Sequence, residues 1–424
     1  MKFFIIACEP SGDLHGSLLV EELKKMIPVA EFLGLGGPQM QGAGVSVLED
    51  MTRLSALGLS DVLRQYFRYR SIFFRALQAV QDFKPDALVL IDSPAFNLRF
   101  AQKISAMKYG GPVFYYIAPQ IWAWGGRCIH TIKKTVSKML VILPFEKEIY
   151  EKAGVPVEFV GHPLLDETHP SAPRPELRRR FGMEENETAI GLLPGSRKSE
   201  VERILPDLLK TAALLKKSLP SCRFFLSRSS NVPASVYESI LQKAGCVFNV
   251  MSSPRKRGSI KSTLVSATIH GGRVRGNDKQ VLTDIKIEEC ALDFQDLVSA
   301  LDFAFVTSGT ATLQTALLGT PFFLVYRASR LTYELGKRLV RVSYLGLVNL
   351  LAGKRVVPEF IQQDMHPETM AHEAKVFLAN KELYGKMKEA FEEIKKKLGA
   401  GGASQRAAEV IAKSQKMGQV PLPA

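Results

Sequence analysis

Phe3-Phe-Ile-Ile-Ala-Cys-Glu-Pro-Ser-Gly-Asp-Leu-His-Gly16 opens with five apolar residues, then a carboxylate, then the small and capping residues that start a helix. A run this apolar suits a strand covered on both faces, which means a parallel sheet with crossover helices. The predicted helix Leu14–Met26 follows at once. Glu9 then stands at the carboxyl end of the strand, where open α/β sheets bind their ligands. The motif is not GxGxxG, so the dinucleotide fingerprint is absent. Ser11 and Asp13 present oxygens at the helix start, toward a sugar or simply as caps.

The same alternation recurs outward from this stretch. Phe32–Gly34, Ala87–Ile91, Val113–Ile117, Met139–Leu143 and Phe159–Val160 read as further strands, with Leu98–Met107 as a helix. The Pro-rich stretch Thr168-His-Pro-Ser-Ala-Pro-Arg-Pro175 reads as a linker. Strands then resume at Ala189–Leu193, Arg223–Leu226, Val247–Val250, Phe303–Val306 and Pro321–Tyr326. The expected architecture is α/β, with two doubly wound, Rossmann-like parallel-sheet domains facing across a cleft. The expected divisions are 1–167, 168–365, C-terminal helices 366–412 that cross back to the first domain, and a frayed tail 413–424.

Composition narrows the class. The 424 residues are 46% hydrophobic and 23% charged, ordinary for a globular chain of two or three domains. Five scattered cysteines without a CxxC pair argue against a disulfide framework or a cysteine zinc site. The apolar runs are too short to cross a bilayer, and Glu9 follows too soon for a secretory signal. The expected location is cytoplasmic. The net charge of +14 favours phosphates or anionic surfaces. Much of it sits in Ser252–Lys279, which is rich in Ser, Gly and Arg and reads as an inserted, exposed loop. That basicity does not by itself imply nucleic acid, and none is expected as a partner.

Several motifs end strands. In Val89-Leu-Ile-Asp-Ser-Pro-Ala-Phe-Asn97, Asp92 terminates a strand that Pro94 cannot continue. A partly desolvated carboxylate there suits a general base, and Glu9 shares its sheet edge. Gly34-Leu-Gly-Gly-Pro38 allows close backbone approach or serves as a tight turn. Tyr115-Tyr-Ile-Ala-Pro-Gln-Ile-Trp-Ala-Trp124 holds both tryptophans, Trp122 and Trp124, as a platform for a sugar or acyl chain or as a rigid corner. Pro144-Phe-Glu-Lys147 and Gly161-His-Pro-Leu164 close two further strands, and His162 is a candidate phosphate contact or acid–base group. In the second half, Leu192-Leu-Pro-Gly-Ser-Arg197 with Glu200 supplies a hydroxyl at Ser196 and a planar fork at Arg197. Ser308, Gly309 and Thr310, in Thr307-Ser-Gly-Thr-Ala-Thr-Leu-Gln314, open a helix in a manner that suits a diphosphate. There is no Asp-x-Asp and no HExxH, so no metal site and no cofactor are expected, and the diphosphate charge falls to Arg197 and backbone donors. Leu57–Val80 interleaves Arg64 and Arg68 with Phe73 and Phe74, which suits a helix in a lipid interface or a domain-packing helix with a basic face.

In this order, EPSGDLHG, GLGGPQM, IDSPAFN, YYIAPQIWAW, LPFE, GHPL, LLPGSR with Glu200, SGTATLQ and NLLAGKRVVPEFIQ resemble the lipid-A-disaccharide synthase family, bacterial glycosyltransferases of the GT-B class. The resemblance runs from Glu9 to Gln362. It implies a metal-independent, inverting transfer of 2,3-diacylglucosamine from UDP-2,3-diacylglucosamine. The acceptor is the 6-hydroxyl of 2,3-diacylglucosamine 1-phosphate, and the products are lipid A disaccharide 1-phosphate and UDP. It also implies a peripheral enzyme on the cytoplasmic face of the inner membrane, with a homodimer left open. Under it, Asp92 is the base and Glu9 its partner or substitute. Ser196, Arg197, Glu200, Ser308, Gly309, Thr310 and Gln314 serve the UDP, with Asn349 and Glu359 as further donor-site residues. Ala95 and Gln314 depart from the family pattern, which often has an acid at the first and Glu in related enzymes at the second. A UDP-sugar epimerase or hydrolase on the same fold is the competing expectation.

Overall fold

Phe3, Phe4, Ile5, Ile6 and Ala7 are all fully buried, because helices cover both faces of their sheet. The computed structural model describes residues 1–52, 62–124, 126, 128–250, 264–269, 285–290, 294–339 and 342–416. Its first sheet has seven strands, β1 (Lys2–Ala7), β2 (Glu31–Gly36), β3 (Ser46–Asp50), β4 (Ala87–Ile91), β5 (Val113–Tyr116), β6 (Lys138–Val141) and β7 (Val157–Phe159). Their order is β3-β2-β1-β4-β5-β6-β7, and every pairing is parallel. Alternate residues of β1 feed opposite layers, as a period of two requires. Phe4 and Ile6 pack with Ile72, Leu77 and Phe100 on one face. Phe3, Ile5 and Ala7 pack with Leu19, Leu23 and Ile411 on the other.

The second sheet has eight strands, β8 (Thr188–Leu193), β9 (Cys222–Ser227), β10 (Cys246–Val250), β11 (Leu264–Ile269), β12 (Ile285–Cys290), β13 (Phe303–Thr307), β14 (Phe322–Tyr326) and β15 (Glu359–Ile361). Their order is β10-β11-β12-β9-β8-β13-β14-β15. From β12 to β15 the pairings are parallel, while β10–β11 and β11–β12 are antiparallel.

Within Ser252–Lys279, read in sequence as an inserted, exposed loop, that antiparallel edge places a strand. Leu264-Val-Ser-Ala-Thr-Ile269 is a strand with partners on both sides. Its apolar and hydroxylated residues include three β-branched ones, which suit a pleated surface. The rest of the stretch lies outside the described residues. β3, β12 and β15 are likewise strands that the apolar runs did not announce. β3 and β12 are rich in charge, and β15 has three residues.

The chain forms two compact units, the first of Met1–Glu167 with the chain from Lys397, the second of Thr168–Arg338 with Val342–Lys396. The helices Pro367–Ala379 and Lys381–Lys397 pack on the second sheet, where Phe377 meets Phe303 and Phe323 and Phe391 stacks on Phe322. Only the helix Ala403–Lys416 joins the first unit, placing Ala407, Ala408 and Ile411 in its core. This helix continues to Lys416, past the expected start of the frayed tail at 413, and the residues after it lie outside those described.

Candidate functional site

In the first unit the order of strands reverses between β1 and β4, which are neighbours although two strands intervene in sequence. In open α/β sheets, ligands bind at this reversal, beyond the carboxyl ends of the strands. Ala7 is in register with Ile91, so Glu9 and Asp92 leave adjacent strands at the same edge. Glu9 is exposed and precedes the helix Pro10–Met26. Asp92 is half-buried with φ at +46°, and Ser93 follows at +45°. Two consecutive non-glycine residues in the left-handed region are strained, and such strain persists only where neighbours enforce it. Here the Asp92 N–H donates to the Tyr116 carbonyl at 3.1 Å. The Asp92 carbonyl accepts from the Tyr115 hydroxyl at 2.5 Å and the Asn97 amide at 2.8 Å. The backbone is thus pinned on both sides. Burial and then the charge of Glu9 push the Asp92 carboxyl above the ordinary aspartate value.

A third carboxyl belongs to this edge. Glu146 opens the helix Pro144–Lys152 after β6 and is almost completely buried. It accepts from the Trp122 indole at 3.1 Å and from the Leu143 N–H at 3.2 Å. Burial raises it to about 7, and the Asp92 charge adds to the rise. The motif Pro144-Phe-Glu-Lys147 was visible in the sequence, but a buried acid with an indole partner cannot be told from a helix-opening glutamate without coordinates. Trp122 also meets Phe145 edge to face. The side chain of Trp124 lies outside the described residues. Cys8, between β1 and Glu9, is pushed up to about 12 by burial, so it stays a thiol.

Three expected first-unit site residues turn inward or are already paired. Asp13 is buried, and its carboxylate accepts the N–H groups of Gly37, Gln39 and Met40 at 2.7, 3.0 and 3.0 Å. A Cβ on Gly37 would come within 2.6 Å of that carboxylate, which explains the glycine. Asp13 therefore clamps the Gly36–Pro38 turn, and its oxygens are spent. His162 is buried; its Nδ1 accepts from the Leu164 N–H at 3.2 Å, and burial lowers it to about 3. It stays neutral at ordinary pH, and its Nδ1 holds the turn that leads into Leu164. Arg68 is bonded to Glu49, as is Arg75. Ser11 is exposed at the start of its helix. Phe73 packs on Phe96 and Phe100, whereas Phe74 is half exposed, and the Arg64 side chain lies outside the described residues.

The second unit repeats the arrangement. Its strand order reverses between β8 and β13, where Leu193 is in register with Val306. The loops Pro194–Arg197 and Ser308–Gly309 therefore leave neighbouring strands at one edge, each running into a helix. Gly195 has φ +111°, and Gly309 has φ +155° with ψ −167°, a conformation open essentially to glycine alone. No atom lies within 4 Å of a Cβ built on Gly309, so its backbone is open to a ligand. Ser308 is half-buried with its N–H donated to the Val325 carbonyl, and Thr310 and Ser196 are exposed. Arg197 is 81% exposed and reaches Glu200 at 3.3 Å. Glu200 also accepts the N–H groups of Ser196 and Arg197 at 3.2 and 3.3 Å, so it shapes the loop as a cap. Gln314 is half-buried one turn into its helix.

Asn349 and Glu359 are joined in one internal hydrogen-bond network. Asn349 is fully buried, donates to the Val357 carbonyl and to Glu359, and accepts from the N–H groups of Val356 and Val357, all at 2.8 Å. Glu359 accepts the N–H groups of Leu345 and Gly346 at the start of the helix Leu347–Ala352. Every polar atom of the asparagine is used internally.

The family model described as lipid-A-disaccharide synthetase matches residues 3–266 and 264–414. The chain is 39% identical over 404 residues to a lipid-A-disaccharide synthase of Syntrophus aciditrophicus, covering 95% of each. It is 35% identical over 410 residues to that of Geobacter sulfurreducens, covering 97% of this chain and 96% of the relative. Among solved structures, a putative UDP-N-acetylglucosamine 2-epimerase of Listeria monocytogenes aligns with TM-score 0.60 at 12% identity, covering 100% of this chain and 98% of that one. A glycosyltransferase of Rickettsia africae aligns with TM-score 0.54 at 9% identity, covering 99% of each. At such identities the two structures speak for the GT-B fold alone. With the family model and the curated relatives in agreement over nearly its whole length, the chain belongs to the lipid-A-disaccharide synthase family, glycosyltransferases of lipid A biosynthesis.

Proposed function

We propose that this chain joins UDP-2,3-diacylglucosamine to the 6-hydroxyl of 2,3-diacylglucosamine 1-phosphate, with Asp92 as the base. The carrying observation is the half-buried Asp92 carboxyl, raised by burial and Glu9, on a backbone pinned by Tyr115, Tyr116 and Asn97. Asp92 takes the proton of the acceptor hydroxyl as its oxygen attacks the anomeric carbon from the face opposite UDP. The bond from that carbon to the diphosphate oxygen breaks, its electron pair leaves with UDP, and the configuration inverts. In the second unit, Arg197, Ser196 and the open backbone around Ser308, Gly309 and Thr310 neutralise the departing diphosphate.

The test is a mass-spectrometric assay with both acylated substrates, with and without EDTA. Disaccharide phosphate should form in both, and Asp92→Ala should lose about 10²–10⁴-fold in kcat while still binding UDP. Normal turnover by that variant removes Asp92 from the role. UDP release from non-acylated UDP-N-acetylglucosamine alone would instead indicate hydrolysis or epimerisation.

We also propose that the enzyme works peripherally at the cytoplasmic face of the inner membrane. Among the described residues, no helix is long and apolar enough to cross a membrane. The helix Val62–Phe83 nevertheless exposes Phe67 by 61% and Phe74 by 50%. Aromatic rings beside arginines suit the headgroup boundary. Phe67→Ser with Phe74→Ser should cut co-sedimentation with phosphatidylglycerol vesicles about tenfold, each ring contributing on the order of 1 kcal/mol or more on transfer. Unchanged sedimentation would place the membrane contact elsewhere.

A further inference from the structure

A cavity of about 550 Å³ opens beside the Glu9–Asp92 edge, within the range of ligand-sized pockets. Its walls combine two chemistries. Tyr69, Phe73, Pro94, Ala95 and Phe96 supply apolar surface, and Arg70 and Arg99 supply guanidinium groups. Glu9 and Ser93 also line it, so the space is continuous with the edge that carries the proposed base.

The arginines of the helix Val62–Phe83 are not equivalent. Arg68 and Arg75 both bind Glu49, at 2.8 and 2.7 Å. Arg70 stands over the Phe74 ring at 5.6 Å, and Arg99 comes from the separate helix Pro94–Ala106. Neither Arg70 nor Arg99 has a carboxylate partner among the described residues. Two guanidinium groups with no carboxylate partner among the described residues, beside a largely apolar cavity, complement an amphiphile whose head is a phosphate and whose tail is an acyl chain. Ala95 adds neither bulk nor negative charge to this wall.

We infer that this cavity is the acceptor subsite, with Arg70 and Arg99 holding the phosphate of the acylated sugar phosphate while an acyl chain occupies the space lined by Tyr69, Phe73 and Phe96. The inference rests on the proposed function for the identity of the acceptor, and it adds the residues that distinguish acceptor from donor. A phosphate monoester on an acyl-bearing sugar and the headgroup phosphate of a phospholipid share this chemistry, so the experiment separates them.

Binding of 2,3-diacylglucosamine 1-phosphate is measured by calorimetry in detergent, without donor, for the wild type, Arg70→Ala, Arg99→Ala, the double variant and Ala95→Trp. The same sugar without its phosphate serves as control. The double variant should bind the phosphorylated sugar at least tenfold more weakly while binding the phosphate-free sugar within twofold of wild type. Ala95→Trp, an exposed position that should fold normally, should weaken both by filling the cavity. If the arginine variants bind both sugars as the wild type does, the inference fails. It fails also if they lose only sedimentation with phosphatidylglycerol vesicles, because the arginines would then serve bulk lipid. Since no turnover is read, a wild type that binds in this pattern but forms no disaccharide would uphold the subsite and reject the proposed reaction.

Discussion

Asp92 illustrates how one carboxyl is prepared for proton transfer. Its raised value comes first from burial and next from Glu9. A base must be unprotonated to act, so the rate should climb as pH rises through the Asp92 value. That value lies above the ordinary aspartate one. Glu9→Gln removes the neighbouring charge, lowers the Asp92 value, and should shift the acid limb of the kcat/KM profile to lower pH. A limb left in place would mean that the Glu9 charge does not reach the titrating base. The positions of Glu9 and Asp92 were legible in the sequence because each ends an apolar run beside proline. Glu146 was not, since only its burial against Trp122 separates it from an ordinary first-turn glutamate.

Among the elements, the helices that follow strands were easier to read than the pieces that brace them. Asn349 and Glu359 read in sequence as polar residues in a motif, which suggested a ligand. The structure uses them to lock the helix Leu347–Ala352 onto the segment running into β15. Asn349→Ala would strand the Val357 carbonyl and the N–H groups of Val356 and Val357. The expected cost is about 2–4 kcal/mol in urea unfolding. Asn349→Asp should cost about as much, because a buried carboxylate would then face Glu359. A variant of unchanged stability but weaker UDP binding would return Asn349 to the donor site. β11 escaped detection for a related reason. Its six residues lie within a Ser-, Gly- and Arg-rich stretch whose composition outweighs its local pattern, and its pairing with β10 and β12 is a tertiary fact.

The division of the chain has an energetic consequence that its linear order hides. The last described helix, Ala403–Lys416, belongs to the first unit's core, so the N-terminal sheet depends on residues more than two hundred positions beyond its last strand. Ala407, Ala408 and Ile411 are fully buried there beside Leu19, Val20 and Leu23 of the helix Pro10–Met26. The Arg406 guanidinium also donates to the Val160 carbonyl at 2.8 Å, and Asp166 accepts the Gly402 and Ala403 N–H groups. Ending the chain after Lys397 would expose this face. Each large aliphatic residue uncovered costs about 1.5–3 kcal/mol, so the loss is comparable to the entire stability of a domain, roughly 5–15 kcal/mol. The second unit keeps its sheet and both helices that pack on it. Calorimetry of the truncated chain should therefore show the first unit melting far lower or already unfolded. The second unit's transition should remain and still rise with UDP, by about 2.7 kcal/mol at a hundredfold excess over Kd. Joint loss of both transitions would mean that the two units do not fold independently. A UDP response lost with the first unit alone would mean that the nucleotide site is not confined to the second.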